Sequence, residues 1–216
     1  MTISLSELDD NIVHTRSIGA IFSDFVGKIY SIGFYRKDDL LVIASEDDSV
    51  RLYDIANAKL LKTTYHKKHG TDQIFFTHHP SSVICSARYN LESTGESLWY
   101  SSRYDNRCLR NDGKSMLLSI TNNNIRVLDA YGGDKHCGFS LEPRHGTSTE
   151  ATFTPDGRYV VTGSGGGTMH AWSIDRKSEV ACWSSHIGVP CCLKWAPRRA
   201  MFAAASTVLT FWIPNN

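Results

Sequence analysis

The pattern of apolar and polar positions repeats along the chain in windows of 15 residues that align without gaps. Each window contains a short alternating strand, a polar turn with proline or charged residues, and an apolar strand that ends in small residues. The windows are residues 31–45, 73–87, 150–164 and 192–206, and their fourth position holds Phe34, Phe76, Phe153 and Trp195. Such a repeat predicts a fold built from similar β-units.

A third strand with a large apolar residue near its centre follows the polar loop in each of four repeats. These strands are predicted at residues 51–54, 126–129, 170–173 and 210–213, and more polar fourth strands at residues 59–65 and 179–184. The pattern predicts no helix beyond a turn near residues 5–10. Four short strands in every ~40–45 residues form the blade of a WD-repeat β-propeller, so the sequence predicts an all-β fold of this class.

The two ends of the chain fit the way in which propellers close. Residues 16–22 form a strand ahead of the first blade, and the last blade stops after its third strand, at Pro214. Lending an N-terminal strand to the last blade removes two exposed edges. We therefore expect an N-terminal extension, 1–15, and one propeller domain, 16–214. Its five blades are predicted at residues 25–66, 70–106, 107–141, 148–186, and 189–214 together with 16–22.

The spacing of the repeats is irregular at one place. The aromatic position recurs after 42 residues in two neighbouring pairs of repeats, but Leu109 takes it only 33 residues after Phe76. About one strand is missing, because residues 104–110 are needed both as the outer strand of the second blade and as the inner strand of the third. We therefore expect an open strand edge near residues 103–114.

Several long stretches closely resemble the WD-repeat-containing protein 82 family. They are RYDNRCLR, NDGKSMLLSITNNNIRVLDAYGGDKHCGFSLEP, ATFTPDGRYVVTGSGGGTMHAWSI and FAAASTVLTFWIP. The resemblance looks plant-like and extends from about residue 22 to residue 214. After Arg110, members of this family continue through roughly two further blades of a seven-bladed ring. The resemblance therefore implies a chain that is shortened internally by about two blades.

The resemblance also implies a function. Members of the family are the WD-repeat subunits of COMPASS-type histone methyltransferase complexes. We therefore expect a non-catalytic scaffold in the nucleus that links a COMPASS/Set1-type histone H3 lysine methyltransferase complex to transcribed chromatin. The expected partners are the subunits of that complex and the phosphorylated tail of RNA polymerase II.

Two alternatives stay open at this point. One is a substrate receptor of a cullin-type ubiquitin ligase, and the other is an inactive shortened product. Receptors of that kind often carry Trp-Asp-x-Arg after the third strand, and here Ala56 and Asp175 stand at the arginine position. The ligase interpretation is therefore the weaker one.

Composition excludes some classes of partner. The 23 Lys+Arg against 22 Asp+Glu leave a net charge of +1, so no overall charge recruits nucleic acid, and direct sequence-specific binding to it is not expected. The longest apolar run, about residues 201–205, is far shorter than the ~20 residues of a membrane span. The N-terminus lacks the basic and apolar regions of a secretory signal. The six cysteines never form Cys-x-x-Cys, which favours reduced, structural thiols.

Motifs for catalysis or for cofactors are weak. The glycine run 163–167 lacks the Lys-Ser/Thr of a phosphate-binding loop and is interpreted as a turn. The paired histidines fall on separate loops, so we expect no metal ion and no cofactor. Cys191 and Cys192 are adjacent in a predicted strand and are expected to point to opposite faces. The sequence predicts no enzyme.

A binding face has more support. In a propeller, the loops between second and third strands and the loops between blades lie on the same face. Positive groups fall in these loops, and we predict that they dock an acidic or phosphorylated peptide. The predicted binding residues are His66, Lys67, Lys68, His69, Arg88, Arg144 and His145. The alternative is a merely solvated surface, and acidic residues of the same rim (Glu46, Asp47, Asp48 and Glu92) argue for it.

Overall fold

The computed structural model describes residues 8–37, 39–65, 71–86, 107–110, 112–120, 124–141 and 150–215. Within these ranges the chain forms one short helix, α1 (Asp10–His14), and eighteen strands. The strands are β1 (Arg16–Phe22), β2 (Ile29–Phe34), β3 (Leu40–Ser45), β4 (Ser49–Asp54), β5 (Lys59–Tyr65), β6 (Ile74–Phe76), β7 (Val83–Cys85), β8 (Arg107–Leu109), β9 (Ser115–Ile120), β10 (Asn124–Asp129), β11 (Lys135–Ser140), β12 (Ala151–Phe153), β13 (Tyr159–Gly163), β14 (Thr168–Ser173), β15 (Ser178–Ser184), β16 (Cys192–Trp195), β17 (Phe202–Ala205) and β18 (Leu209–Pro214). No helix in this part of the chain is long and apolar enough to cross a membrane.

The strands pair antiparallel in small sheets, as the repeats predict. The described strands form four four-stranded sheets, with the orders β2-β3-β4-β5, β8-β9-β10-β11, β12-β13-β14-β15 and β16-β17-β18-β1, and one two-stranded sheet, β6-β7. The N-terminal strand β1 pairs with β18, with Arg16 opposite Pro214 and Phe22 opposite Leu209. The prediction that this strand completes the last sheet is confirmed, as is the all-β, WD-type fold.

The inner strands of neighbouring sheets are tied by a repeated hydrogen bond. The Ile74 amide donates to Oγ of Ser31 over 3.2 Å, and the Trp195 amide donates to Oγ1 of Thr152 over 3.4 Å. The two residues of each pair are 43 positions apart. In space β6 packs on β2, β2 on β16, β16 on β12, and β12 on β8 and β9. The first sheet therefore lies between the second and the last.

The core lies between these sheets. Ile32, Leu41 and Tyr53 of the first sheet pack with Ala203 and Leu209 of the last sheet in one cluster of buried residues. A second cluster joins the last sheet to the fourth, and a third joins the fourth sheet to β9–β11. The first, fourth and last sheets thus bury apolar side chains on both of their faces, which explains the apolar runs of their second strands.

Helix α1 is a single turn that the sequence placed slightly too early, at residues 5–10. Its N-cap is Asp9, whose carboxylate accepts from the Ile12 amide over 2.7 Å. A helix of this length is not stable by itself, so its packing decides its position. Leu8 and Val13 are fully buried in the cluster that contains the fourth sheet. The residues that precede β1 therefore pack against the fourth sheet.

The irregular spacing is resolved in favour of the third sheet. Strand β8 pairs with β9, with Leu109 opposite Met116, so this segment is the inner strand of that sheet. Of the second sheet, β6 and β7 lie within the described residues. Residues 103–106 and 111 of the predicted open edge lie outside the described residues, so that edge stays a prediction.

Candidate interaction face

The seven predicted peptide-binding residues lie outside the described residues, so their placement stays a prediction. They are His66, Lys67, Lys68, His69, Arg88, Arg144 and His145. The structure does describe neighbouring loops of the face on which they were expected. These loops are the β3–β4, β13–β14 and β17–β18 turns and the inter-blade loop 185–191.

The two kinds of loop do lie together. The Ser185 amide, in the inter-blade loop, donates to the Gly167 carbonyl of the β13–β14 turn over 2.9 Å. On the other side, Oγ of Ser206 in the β17–β18 turn donates to the Ile187 carbonyl over 2.6 Å. The loop 185–191 is thus held between the turns of two blades, and it presents His186 to solvent.

The turn of the first blade is braced by Asp47. Its carboxylate accepts from Oγ of Ser45 at 2.5 Å, from the Ser49 amide at 3.1 Å and from the Arg51 guanidinium at 3.1 Å. Burial raises the pKa of Asp47, but the hydrogen bonds from Ser45 and Ser49 outweigh it and hold the pKa below its usual value. Asp47 therefore acts as an internal brace and is not available to a ligand.

Arg51 connects this turn to the segment ahead of β2. The guanidinium pairs with Asp24 over 2.8 Å and lies 4.2 Å from the centre of the Phe25 ring. Arg51 is 5% exposed, so its charge is compensated inside the protein and contributes nothing to a binding surface.

The described part of this rim is more acidic than basic. Besides Asp47, the exposed or half-buried acidic residues are Asp24, Glu46, Asp48 and Asp72. The matching basic residues of the same loops are Lys28 and His186. A peptide-binding patch for an acidic partner therefore depends on the predicted basic residues outside the described ranges.

The adjacent cysteines correct a prediction. Sγ of Cys191 and Sγ of Cys192 lie 3.3 Å and 3.5 Å from the same carbonyl oxygen, that of Ile29. The expectation of opposite faces is wrong, because β16 begins at Cys192 and Cys191 precedes the alternating strand. The hydrogen bond between the two thiols lowers the pKa of Cys191 and, together with burial, raises that of Cys192.

A cleft on the opposite face was missed by the sequence analysis. It has a volume of about 350 Å³, lies between the third and fourth sheets, and is lined by Arg110, His136 and Lys177 among others. The Arg110 guanidinium lies over Gly157, where a Cβ atom would fall 2.1 Å from its Nε. Gly157 also has φ +70°, a backbone conformation that favours glycine. The close Arg110 side chain and this φ therefore both require glycine at this position.

A second cluster was also missed. His170 of β14 lies beside Glu179 and Cys182 of β15, and their ligand atoms are within 4.8 Å of one another. The sequence analysis weighed the paired histidines of the loops and passed over His170, which stands alone in a strand. Looking in the sequence for residues on the same face of the β14–β15 hairpin would also miss this cluster. Regular alternation along β15 predicts Glu179 and Cys182 on opposite faces.

Comparison with known proteins fits the sheets described above. The family model "WD domain, G-beta repeat" matches residues 139–173, which run from the end of β11 through β14. The chain is therefore a WD-repeat protein, as its four-stranded sheets indicate.

Similar proteins identify the family within the class of WD-repeat proteins. "Protein ANTHESIS POMOTING FACTOR 1" of Arabidopsis thaliana is 50% identical over 315 residues, with 99% of this chain and 96% of the relative covered. "WD repeat-containing protein 82" of Drosophila melanogaster is 22% identical over 97% of this chain and 98% of its own length. The chain belongs to the WD-repeat-containing protein 82 family.

Two further findings concern length and function. The match to the Arabidopsis relative spans 315 residues while this chain has 216, so about 100 residues of the relative have no counterpart here. This difference agrees with an internal shortening by about two blades. The "Set1 complex component swd2" of Schizosaccharomyces pombe is 36% identical over 61 residues, or 28% of this chain and 17% of that protein.

Proposed function

We propose that this chain is a non-catalytic WD-repeat scaffold of a COMPASS/Set1-type histone H3 lysine methyltransferase complex in the nucleus. In that role it links the complex to transcribed chromatin through the phosphorylated tail of RNA polymerase II. The observation that carries the proposal is the membership in the WD-repeat-containing protein 82 family, together with the likeness to a component named for the Set1 complex.

The architecture supports a scaffold role. The described loops between blades are fixed by hydrogen bonds to turns of two neighbouring blades, so they form a rigid frame for docking. Two charged groups of the described rim, Asp47 and Arg51, are used internally, and most of the others are acidic. Recognition of an acidic tail is therefore assigned to the predicted basic residues, above all Lys67 and Lys68.

Affinity purification of the tagged chain from cells tests the complex. We expect the methyltransferase subunit and its partners to co-purify in stoichiometric amounts. Co-purification of a cullin adaptor in their place would contradict the proposal and favour a ligase receptor. Recovery of the folded chain without partners would contradict it as well and favour an inactive shortened product.

A peptide titration tests the basic patch separately. Charge-assisted hydrogen bonds contribute about 1.5–3 kcal/mol each, so Lys67→Glu with Lys68→Glu should weaken binding of a phosphorylated polymerase-tail peptide by roughly 100-fold or more. The matched control is Lys59→Glu with Lys62→Glu, which changes two exposed lysines of β5. Equal binding by the Lys67/Lys68 variant and the wild-type chain at low salt would rule out this patch.

A further inference from the structure

Three side chains with metal-binding atoms converge on one face of the fourth sheet. Nδ1 of His170 lies 2.7 Å from Oε1 of Glu179. A ring nitrogen of His170, a carboxylate oxygen of Glu179 and Sγ of Cys182 all lie within 4.8 Å of one another. No second group of three histidine, cysteine or carboxylate side chains comes this close within the described ranges. An imidazole, a thiolate and a carboxylate are the ligand types that Zn²⁺ uses in proteins.

A β-bulge creates this convergence. His170 pairs with Cys182 across the β14–β15 ladder, and Ala171 pairs with Ala181, but Trp172 then pairs with Glu179. The extra residue, Val180, shifts the alternation by one and turns Glu179 onto the face of His170 and Cys182. Bulges re-aim side chains in this way next to functional sites.

The same bulge recurs in two other sheets, where it carries different residues. In the first sheet Arg51 pairs with Thr63, and Tyr53 with Leu60. In the third sheet the corresponding pairs are Arg126 with Gly138 and Leu128 with Lys135. The Lys135 side chain lies 3.0 Å from the position of a Cβ atom on Gly138, so the two positions share a face there too.

The first and third sheets can be compared with the fourth, because the backbone and the bulge are alike in all three sheets and the side chains differ. The fold thus supplies the geometry in three described sheets, and the fourth sheet combines it with three ligand side chains.

Neighbouring groups hold the imidazole in place. Nε2 of His170 lies 2.8 Å from Oγ1 of Thr168, which lies 2.7 Å from Oγ of Ser164. The ring is also stacked on Trp172, with centroids 6.2 Å apart and planes 23° apart. When Nε2–H donates to Oγ1 of Thr168 and the proton between Nδ1 and Glu179 is lost, the lone pair of Nδ1 is left for a metal ion. Such outer hydrogen bonds orient metal-binding histidines.

We propose that His170, Glu179 and Cys182 form a three-ligand site for Zn²⁺, with water in the fourth position. Ligand atoms around a tetrahedral zinc ion lie about 3.3–3.6 Å apart, so small side-chain rotations within the present 2.7–4.8 Å suffice. The ion would take the place of the proton shared by His170 and Glu179. The Glu179 side chain is 39% exposed, which leaves a path from solvent. The proposal does not depend on the proposed scaffold function.

Competition with a chromophoric chelator tests the site on the purified full chain, with Zn²⁺ alone as the probe. We expect one equivalent of zinc, lost in Cys182→Ser and in His170→Gln. Thr168→Val, which removes only the positioning hydrogen bond, should weaken binding by roughly 10- to 100-fold. Co²⁺ in place of Zn²⁺ should show a thiolate-to-cobalt absorption band that Cys182→Ser abolishes.

Two control variants separate this site from other thiols. Cys85→Ser changes an exposed cysteine of β7 and should leave zinc binding unchanged. Cys191→Ser removes one sulfur of the adjacent pair beside Ile29 and should leave it unchanged as well. Absence of zinc binding in the wild-type chain, or binding that survives Cys182→Ser and is lost in Cys191→Ser, would overturn the proposal. Circular dichroism of each metal-free variant confirms that it is folded.

Discussion

At the scale of single residues, a polar contact of three side chains joins α1 to the fourth sheet. The Tyr159 hydroxyl donates to Oδ1 of Asp10 over 2.7 Å, and the Arg176 guanidinium donates to the same oxygen over 2.5 Å. Burial, and then the bond to Asp10, raises the pKa of Tyr159 to about 12. The hydrogen bonds from Tyr159 and Arg176 hold the pKa of Asp10 below its ordinary value of 3.8. The contact therefore favours the ionised carboxylate and the neutral phenol.

The pH dependence of stability follows from these directions. The contribution of Asp10 is present above pH 3.8 and is lost as the pH falls through its lower folded-state pKa. The contribution of Tyr159 is present below pH 10 and is lost as the pH rises through about 12. Asp10→Asn should remove the loss of stability at acid pH. Tyr159→Phe should remove the loss of stability at alkaline pH.

At neutral pH each of these two variants should lower the free energy of unfolding by about 1 kcal/mol, since the Asp10 side chain is 45% exposed and solvent screens the pair. Urea unfolding from about pH 2 to about pH 12 measures both effects, and the double variant measures their coupling. Tyr131→Phe, at a tyrosine that is 86% exposed, is the matched control. Additive losses in the double variant would show that the two side chains do not interact.

At the scale of elements, the sequence predicts strands better than it predicts register. The third strands expected at residues 51–54, 126–129, 170–173 and 210–213 all lie within β4, β10, β14 and β18. Their large apolar residues lie in the core, so the alternation of apolar and polar positions makes these strands recognisable in the sequence. The bulges are not visible in that pattern, because an inserted residue such as Val180 resembles any other strand residue. The convergence of His170, Glu179 and Cys182 was therefore beyond the reach of the sequence.

The turns of the first and fourth sheets show how two copies of one element diverge. In both, a small hydroxyl residue at the end of the second strand meets another at the start of the third: Ser45 with Ser49, and Ser164 with Thr168. The first turn adds the Asp47 carboxylate, and Gly166 stands at that place in the fourth.

Gly166→Asp should therefore restore the brace. Gly166 has no positive φ, and the nearest atom to a new Cβ is Oγ of Ser164 at 3.4 Å, so the side chain fits. We expect the free energy of unfolding to rise by about 1 kcal/mol, from hydrogen bonds to Ser164 and Thr168 and from a less flexible unfolded chain. Gly166→Ala makes the unfolded chain less flexible but adds no hydrogen bond, so it should raise the free energy of unfolding by about 0.5 kcal/mol. Thermal and urea unfolding that rank alanine at or above aspartate would contradict this explanation.

At the scale of the whole molecule, the sheets follow one another through packed inner strands from β6 through β2, β16 and β12 to β8. The second and third sheets stand at the two ends of this series. The family resemblance places the internal shortening after Arg110, between those same sheets, and about 100 residues of the Arabidopsis relative lack a counterpart. The sequence predicted this junction because it changes the repeat length, which a strand count reveals without coordinates.

The described strands of the second sheet show the consequence. β6 and β7 have three residues each, and Phe75 and Ile84, which are paired, are 51% and 65% exposed. In the longer relatives we expect the additional blades to cover this apolar surface. Exposed apolar edges of this kind promote association between chains.

Amide hydrogen exchange should therefore be faster in Val83–Cys85 than in the buried strand Tyr159–Gly163, because a short, exposed strand opens locally at little cost. Ile84→Lys should raise the solubility of the chain and change its free energy of unfolding by no more than about 0.5 kcal/mol. Leu61→Lys, at a residue that is 49% exposed on the outer strand of a complete sheet, is the control and should change solubility less. Inserting the relative's additional residues after Arg110 should raise solubility as Ile84→Lys does. Equal protection of the two strands, with no effect of Ile84→Lys, would show that the second sheet is already covered by its neighbours and that the shortened chain closes on itself.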